Sequence, residues 1–353
     1  MRGKGGMSVN VVLCSRNGET YLREQIESIL NQTAPEVRLL ISDDASSDKT
    51  PEIEQEYATR HPDRVRVFLR KEPSGGAARH FFLALRHFAE EDESASEQDA
   101  RYFMFADQDD VWHPDKVGKT LAAMRQAEAE SGPGRPVLVH CDMRVTDGNG
   151  NEIAPSHVRY QQLSPERCGL NRLLVQNTVT GGALMMNESL VRLVLSRPLP
   201  QHAVMHDHWI ALVAAAFGKI VFLDEALYDY RQHASNVLGA AKGGRVREIL
   251  DRLGLFRKDA KTKAEVDRRS ASAYEHLFLQ ADEFSRLYEP PSAGNGQDAP
   301  SGQNMALSPA QRCMLHAFVS IPRMNRIRKI ATILRYGFTF NRLHRTVGEC
   351  LFV

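Results

Sequence analysis

The chain has 353 residues, of which 42% are hydrophobic and 25% are charged, and its formal net charge is +1 at pH 7. This length can bury a proper core in one large domain or two ordinary ones. The small net charge argues against a protein that binds nucleic acid through overall charge. The charge is unevenly distributed, since residues 1–240 carry 26 Lys/Arg against 33 Asp/Glu and residues 241–353 carry 19 against 11. The two parts are therefore expected to meet different partners.

Cysteine usage and apolar runs bear on where the protein acts. The five cysteines are scattered and form no C-x-x-C pair, which indicates reduced intracellular thiols and no zinc site. The first ten residues lack the apolar region of a signal peptide. The longest apolar stretch, 209–223, is interrupted by Gly218 and Lys219 and falls short of the ~20 residues that span a bilayer. We therefore expect a cytoplasmic protein, with a peripheral contact at the inner face of the cell membrane left open.

The first 110 residues alternate between strand-like and helix-like patterns. Short apolar runs predict strands at 10–15, 37–42, 65–69 and 102–106. The segments between these runs carry apolar residues at helical spacing. Strands that alternate with helices predict a parallel sheet covered on both faces. We therefore expect an α/β fold built on a doubly wound, mostly parallel sheet, continued by a buried helix at 210–217 and short strands at 220–223 and 225–229.

Beyond this domain the pattern becomes helical and basic. Residues 289–310 are rich in Pro, Gly and Ser, which predicts a flexible linker. The sequence thus divides into an α/β domain at 1–240, a helical extension at 241–288, the linker, and a basic helical segment at 311–353.

The basic segment contains an amphipathic pattern. Ile327, Ile330, Ile333 and Leu334 follow helical spacing among arginines and are predicted to share one face of a helix. A basic amphipathic helix can lie on an anionic bilayer. A helix packed on the α/β domain with its basic side in solvent fits the pattern equally well.

Two predicted strands end in carboxylates. The second strand runs into Asp43 and Asp44, and the fourth runs into Asp107, Asp109 and Asp110. The carboxyl ends of parallel strands border a common crevice, so both sets are expected to face one site. Burying clustered carboxylates is costly unless a cation compensates, and Mg²⁺ or Mn²⁺ with phosphate and water suits a D-x-D at a strand end. For the segment after the second strand, a turn and helix cap is an open alternative.

Five blocks in a fixed order carry a family resemblance. They are residues 11–33, 39–50, 105–117, 177–187 and 206–239. With them the chain resembles family 2 glycosyltransferases, which are inverting enzymes of the GT-A type, and especially bacterial rhamnosyltransferases of surface polysaccharide assembly. The resemblance covers about residues 8–240. It implies transfer of a sugar, with dTDP-rhamnose as the favoured donor, to a hydroxyl of a polysaccharide or lipid-linked glycan.

The resemblance assigns a donor side. Asp44 would accept a hydrogen bond from the nucleotide base, and relatives often have Tyr or Phe where Arg16 stands. Asp107 would lie toward ribose and metal, and Asp109 would be a direct metal ligand. The implied nucleotide-binding residues are Ser15, Arg16, Asn17, Asp43, Asp44, Gly76, Arg79 and Asp107. The implied ligands of the Mg²⁺ or Mn²⁺ ion are Asp107, Asp109 and His233.

The resemblance also assigns an acceptor side. Asp207 would be the general base for the acceptor hydroxyl, with His206 and His208 as rivals because imidazole has a more favourable intrinsic pKa. An N-cap role for Asp207 is the alternative. The residues implied at the acceptor and diphosphate are Thr180, Gly181, Gly182, Trp209 and Arg231.

Two other functions remain open at this point. A metal-dependent nucleotidyltransferase also uses strand-end carboxylates, but it would typically carry a Gly-rich basic loop after the first strand, where this chain has one glycine and an acid. A non-catalytic nucleotide-sugar-binding subunit of a polysaccharide complex would have no chemical need for the second carboxylate set around Asp207.

Overall fold

A computed structural model describes residues 7–34, 37–91, 100–233, 260–290 and 305–340. Within these ranges the strands are β1 (Met7–Ser15), β2 (Val37–Asp43), β3 (Val65–Leu69), β4 (Ala100–Asp107), β5 (Val111–Trp112), β6 (Val137–Asp147), β7 (Glu152–Ala154), β8 (Leu184–Asn187) and β9 (Lys219–Gln232). They form one sheet in the order β3-β2-β1-β4-β8-β6-β9-β5, and β7 pairs with β6 beside this path.

The sheet is parallel in its first half and mixed in its second. β1 pairs in parallel with β2 and β4, and β2 pairs in parallel with β3, as the sequence predicted. The short strand β8 then enters antiparallel between β4 and β6, so the sheet is less uniformly parallel than expected. The two strands predicted at 220–223 and 225–229 form the single strand β9, which pairs in parallel with β6 through an irregular register.

Helices cover both faces of the sheet. In the described ranges they are α1 (Leu22–Leu30), α2 (Thr50–Arg60), α3 (Ala77–Glu91), α4 (Lys116–Ser131), α5 (His157–Gln161), α6 (Leu170–Leu173), α7 (Glu188–Leu195), α8 (His206–Phe217), α9 (Ala260–Leu287), α10 (Pro309–Ser320) and α11 (Arg326–Tyr336). Side chains of β1 alternate between two cores, with Val11 and Leu13 on the α1, α2 and α4 side and Val12 on the α3, α7 and α8 side. The doubly wound α/β fold is therefore confirmed.

The C-terminal helices extend one of these cores. Phe284 of α9 packs edge-on against Trp209 of α8, and Phe318 of α10 is buried in the same cluster. Most of the predicted linker at 289–310 lies outside the described residues, as do 241–259, so the domain boundaries stay predictions. Among the described helices, none has the length and apolar character needed to cross a bilayer.

Candidate active site at the carboxyl ends of the strands

Asp44 binds the loop that precedes α3 and holds it against the end of β2. Its backbone N–H donates to the Ser15 carbonyl at the end of β1, at 2.9 Å. Its side-chain oxygens accept from the N–H and hydroxyl of Ser74, at 2.6 and 2.9 Å. The guanidinium groups of Arg70 and Arg16 lie 3.3 and 3.6 Å from the carboxylate. Asp44 is thus a buried, fixed anion, and the loop that begins α3 is held beside it.

The hydroxyl of Ser15 points into the protein rather than toward a ligand. Its Oγ lies 2.5 Å from Glu54 Oε1 and 3.2 Å from the Ser42 carbonyl oxygen, within hydrogen-bond distance of both. The Ser15 side chain is therefore directed away from the predicted nucleotide site, and a place for the end of β1 under the base stays a prediction. Glu54 itself is buried, and burial raises the pKa of its carboxyl to about 8. The sequence did not single out Glu54 because a Glu within a helix usually lies in solvent.

The turn after β1 is tied to both neighbouring strand ends. Asn17 adopts a φ of +49° and accepts from the Ser47 N–H at 2.9 Å. The backbone N–H of Arg16 donates to Gln108 Oε1 at 2.7 Å, and Gln108 Nε2 donates back to the Arg16 carbonyl at 3.1 Å. The glutamine inside the D-x-D segment therefore couples the end of β1 to the end of β4.

The glycines before α3 are required by backbone conformation. Gly75 and Gly76 have φ angles of +96° and +147°, and nothing lies within 4 Å of a Cβ placed at either position. Arg79, in the first turn of α3, is exposed. This loop lies beside Ser74, which binds Asp44, so Gly76 and Arg79 are placed on the predicted nucleotide side.

The D-x-D-D carboxylates crowd together at the end of β4. Burial, together with the charges of Asp109 and Asp207, raises the pKa of Asp107 to about 7. Burial and the charges of Asp109 and Asp107 also raise the pKa of Asp110. Asp110 Oδ1 accepts from the Arg231 N–H at 3.3 Å, whereas its Oδ2 has no hydrogen-bond partner among the described residues. Because these buried carboxylates repel one another, a nearby cation is needed to stabilise their charged forms.

One such cation is Lys116, which the sequence did not single out. Its side chain is fully buried, and Nζ donates to the Gly182 carbonyl at 2.5 Å. Nζ also lies 3.5 Å from the centre of the Trp112 ring and 4.0 Å from that of Tyr228. Burial lowers the pKa of Lys116 to about 7, although the nearby acids, including Asp110, act in the opposite direction. Nothing in the sequence favoured selecting it, because a lysine at the start of a helix is normally a solvated surface residue.

Asp109 and His233, which were both predicted to be metal ligands, are in contact with each other. His233 Nε2 lies 2.8 Å from Asp109 Oδ2, and each side chain is only 14% exposed. Tyr21 stacks on His233 at 4.9 Å. Within the described ranges, no three His, Cys, Asp or Glu side chains converge into a preformed metal-binding group. Two protein donors nevertheless fit Mg²⁺ or Mn²⁺, because such sites draw the rest of the coordination shell from phosphate and water.

Arg231 lies next to this pair. Its guanidinium donates to Glu24 at 2.5 Å and lies 4.6 Å from the Tyr21 ring centre. Its backbone N–H bonds Asp110, as described above. Arg231 therefore lies beside Asp109 and His233, paired with an acid that the sequence did not identify, and its diphosphate contact stays a prediction.

Asp207 is held by the acceptor-side loop. Its Oδ2 accepts from the Gly181 N–H at 2.9 Å, and its Oδ1 accepts from Asn177 Nδ2 at 3.1 Å and from the His208 N–H at 2.6 Å. Burial raises the pKa of Asp207 to about 7, although these hydrogen bonds lower it, and the residue keeps some exposure. The N-cap of α8 is Met205, so the N-cap reading of Asp207 was wrong.

Two adjacent glycines lie between the residues predicted for the sugar-donor side and those predicted for the sugar-acceptor side. Gly181 binds Asp207, while a Cβ placed on Gly182 would lie 3.2 Å from Asp110 Oδ2 and 3.5 Å from Asp107 Oδ2. The carbonyl of Thr180, which precedes the two glycines, accepts a hydrogen bond from the Ala183 N–H.

Three other residues at the start of α8 are buried. His206 stacks on Phe81 at 4.0 Å, and its Nε2 would lie 2.6 Å from a Cβ placed on Gly181, so it borders the segment that holds Asp207. Burial lowers the pKa of His206 to about 3, which makes it a poor base. His208 is buried with Nε2 2.6 Å from the Leu173 carbonyl. Trp209 is buried in the core, so a contact with acceptor or diphosphate was wrong.

The chain is similar to known glycosyltransferases in sequence and in fold. Residues 10–164 match the family model described as glycosyl transferase family 2. The chain is 25% identical over 257 residues to an uncharacterized glycosyltransferase of Nostoc sp., covering 70% of this chain and 72% of that one. It is 31% identical over 109 residues to the dTDP-rhamnosyl transferase RfbG of Shigella flexneri, covering 31% and 35%. The crystal structure of S. aureus TarS 1-349 superposes with a TM-score of 0.52 at 16% identity, covering 93% of this chain and 80% of that one.

The fold is of the GT-A glycosyltransferase type, with a helical C-terminal region.

Proposed function

We propose that the protein is an inverting glycosyltransferase that moves a sugar from a nucleoside diphosphate donor to an acceptor hydroxyl in a single displacement. The observation that carries this proposal is the junction at Gly181 and Gly182. One glycine binds the carboxylate of Asp207, and the other borders Asp107 and Asp110. A base and a donor-side carboxylate cluster thus flank one short segment, as a single displacement between two substrates requires.

On the donor side, charge is arranged for a nucleoside diphosphate. Asp109 and His233 would hold Mg²⁺ or Mn²⁺, with Asp107 beside them, and the bound ion would neutralise charge on the departing diphosphate. Arg231 lies next to His233 and supplies a second cation at the same place. The nucleotide would lie along the ends of β1 and β2, over Arg16, Asn17, Asp43 and Asp44, with Gly76 and Arg79 beside it.

On the acceptor side, Asp207 takes the proton of the acceptor hydroxyl. As the new bond forms between that oxygen and the anomeric carbon, the bond to the diphosphate oxygen breaks on the opposite face. The leaving group departs as the nucleoside diphosphate with both electrons of the broken bond. A base with a pKa of about 7 is well matched to this task near neutral pH.

For the substrates, we infer dTDP-rhamnose as the donor and a polysaccharide or lipid-linked glycan as the acceptor. The donor inference is supported by the Shigella flexneri relative, which bears the name dTDP-rhamnosyl transferase and matches about a third of this chain. A cytoplasmic location is expected from the sequence and agrees with a soluble sugar nucleotide as donor.

Calorimetry with dTDP-rhamnose, UDP-N-acetylglucosamine and GDP-mannose, each with and without Mn²⁺, tests the donor side. We expect dTDP-rhamnose to bind in a manner that depends on Mn²⁺, and Asp109→Ala to abolish that dependence. The matched control is Asp224→Ala, because the Asp224 side chain is 68% exposed and lies outside the D-x-D cluster. Equal binding by Asp109→Ala would remove this carboxylate from the metal site. Binding without turnover across a panel of acceptors would favour a non-catalytic sugar-nucleotide-binding subunit.

A further inference from the structure

Helix α11 presents apolar side chains to solvent. Ile327 is 82% exposed and Leu334 is 66% exposed, the largest values among the exposed large apolar side chains of the described residues. They are seven residues apart, about two helical turns, so they lie on one face. Ala331, between them, is also exposed. These three residues form what we name the outer face of α11.

The opposite side of α11 holds the helix on the protein. Ile333 is buried in the core shared with α8 and α10, and Phe338, just after the helix, packs at 5.0 Å from Phe318. The sequence predicted that the apolar positions share one face. The structure divides them, because Ile333 packs inward while Ile327 and Leu334 point outward. The outward pair is therefore not needed to attach the helix.

The charge around the outer face is positive. Residues 305–340 contain six Lys/Arg and no Asp or Glu. Arg328 and Arg335, both exposed, follow one edge of the outer face. Asp282 of α9 and Glu289, just after that helix, line a groove that these two arginines also line. An apolar stripe bordered by arginine is complementary to an anionic surface with an apolar interior.

The C-terminal end of α11 is connected to the segment that holds Asp207. Asn171 Nδ2 donates to the Tyr336 carbonyl at the end of α11, at 2.8 Å. Six residues further along the same segment, Asn177 Nδ2 donates to Asp207 at 3.1 Å. The helix end and the carboxylate are therefore positioned by one short stretch of chain.

We propose that the outer face of α11 docks the protein on an anionic lipid bilayer. Ile327 and Leu334 enter the interface between headgroups and acyl chains, and Arg328 and Arg335 meet lipid phosphates. These are the two interactions that bind basic amphipathic helices to membranes. Docking would bring the protein to a surface that can hold a lipid-linked acceptor. That consequence rests on the proposed function, whereas the docking itself does not.

Cosedimentation of the full chain with vesicles tests the docking. One set of vesicles contains equal parts phosphatidylglycerol and phosphatidylcholine, and the other contains phosphatidylcholine alone. We expect binding to the anionic vesicles, and the double variant Ile327→Ser/Leu334→Ser should lower the partition coefficient by about tenfold or more. The matched control is Ile153→Ser, which removes an exposed isoleucine from β7 and should leave binding unchanged. Because Ile327 and Leu334 are exposed, the melting temperature of the double variant should match that of the parent.

The charge contribution is tested by Arg328→Gln/Arg335→Gln, which should weaken binding and make it less sensitive to salt. Arg66→Gln, an exposed arginine on β3, is its control. The proposal is overturned if the parent does not bind anionic vesicles, or if the Ser double variant partitions like the parent. It is also overturned if the same residues instead mediate self-association in light scattering. Donor binding measured on each variant reports on the proposed function separately, since neither pair touches the donor residues.

Discussion

Asp207 Oδ2 accepts a hydrogen bond from the backbone N–H of Gly181 at 2.9 Å. This contact fixes the carboxylate through the main chain of a segment that also borders the D-x-D-D cluster. Asn177 bonds the other oxygen, so the carboxyl plane is set from two directions. The orientation of the proposed base is therefore built into the fold before any substrate binds.

Replacing Asp207 by Asn should abolish most of the transfer while leaving the donor side intact. The amide is nearly isosteric, and its oxygen can still accept from Gly181, but its NH₂ then faces Asn177 and the His208 N–H, and the amide cannot take a proton. We expect kcat to fall by about 10²–10⁴-fold, the usual contribution of a general base, with unchanged donor affinity in calorimetry. Asp224→Asn, which alters an exposed carboxyl, is the control and should behave as the parent. A kcat within a few fold of the parent for Asp207→Asn would place the base elsewhere.

The pH dependence of transfer should follow Asp207. Burial raises its pKa to about 7, and the base works only when deprotonated. The value of kcat/KM should therefore rise with pH and level off above about 7, measured at saturating Mn²⁺ so that the titration of Asp107 does not dominate. A profile that is flat from about pH 5 to about pH 8 would contradict this assignment, and it is the profile that a base of pKa about 3, such as His206, would give.

Replacing Lys116 by Met should affect both stability and catalysis. The substitution keeps the length and apolar stem but leaves the Gly182 carbonyl without its buried donor, which typically costs about 1–3 kcal/mol of unfolding free energy. Because Gly182 follows the residue that holds Asp207, kcat should also fall by about tenfold or more. Urea unfolding and steady-state kinetics measure the two effects.

Lys119→Met is the matched control, because Lys119 lies one turn further along α4 in surface ion pairs with Asp115 and Glu225. Exposed pairs contribute about 0–1 kcal/mol, so both measurements should change little. If Lys116→Met lost stability while keeping the parent kcat, Lys116 would have a purely structural role.

Replacing Glu54 by Gln should flatten the pH dependence of stability. Burial raises the pKa of Glu54 from 4.5 to about 8. The folded protein therefore retains a proton that the unfolded chain loses, so the free energy of unfolding falls as pH rises between these values. Glutamine cannot ionise, so this part of the slope should disappear in urea titrations over that range. Glu56→Gln, in the same helix but on the surface, should keep the parent slope, and an unchanged slope for Glu54→Gln would contradict the assignment.

The fold and the carboxylate cluster could be predicted because both are carried by patterns along the chain. Strand-length apolar runs end in Asp44 and in Asp107, and parallel pairing brings strand ends to one edge. The antiparallel entry of β8 was not predicted, because a four-residue apolar strand after two glycines has no periodicity of its own.

Side-chain direction could not be read from the motifs. Ser15 and Trp209 lie inside blocks of the resemblance, yet one points to Glu54 and the other into the core. Lys116 and Glu54 are ordinary polar residues of helices until the fold buries them. A motif identifies the segment near a site, whereas the backbone path decides which side chains enter it.

The most direct test of the account is sugar transfer itself. Radiolabelled dTDP-rhamnose is incubated with Mn²⁺, a lipid-linked glycan extract, and either the parent protein or Asp207→Asn, and label in the lipid fraction is counted. The account predicts label transfer by the parent and, at equal donor occupancy, a loss of about 10²–10⁴-fold with Asp207→Asn. Equal transfer by both proteins, or donor binding with no transfer by either across sugar nucleotides and acceptors, would contradict it.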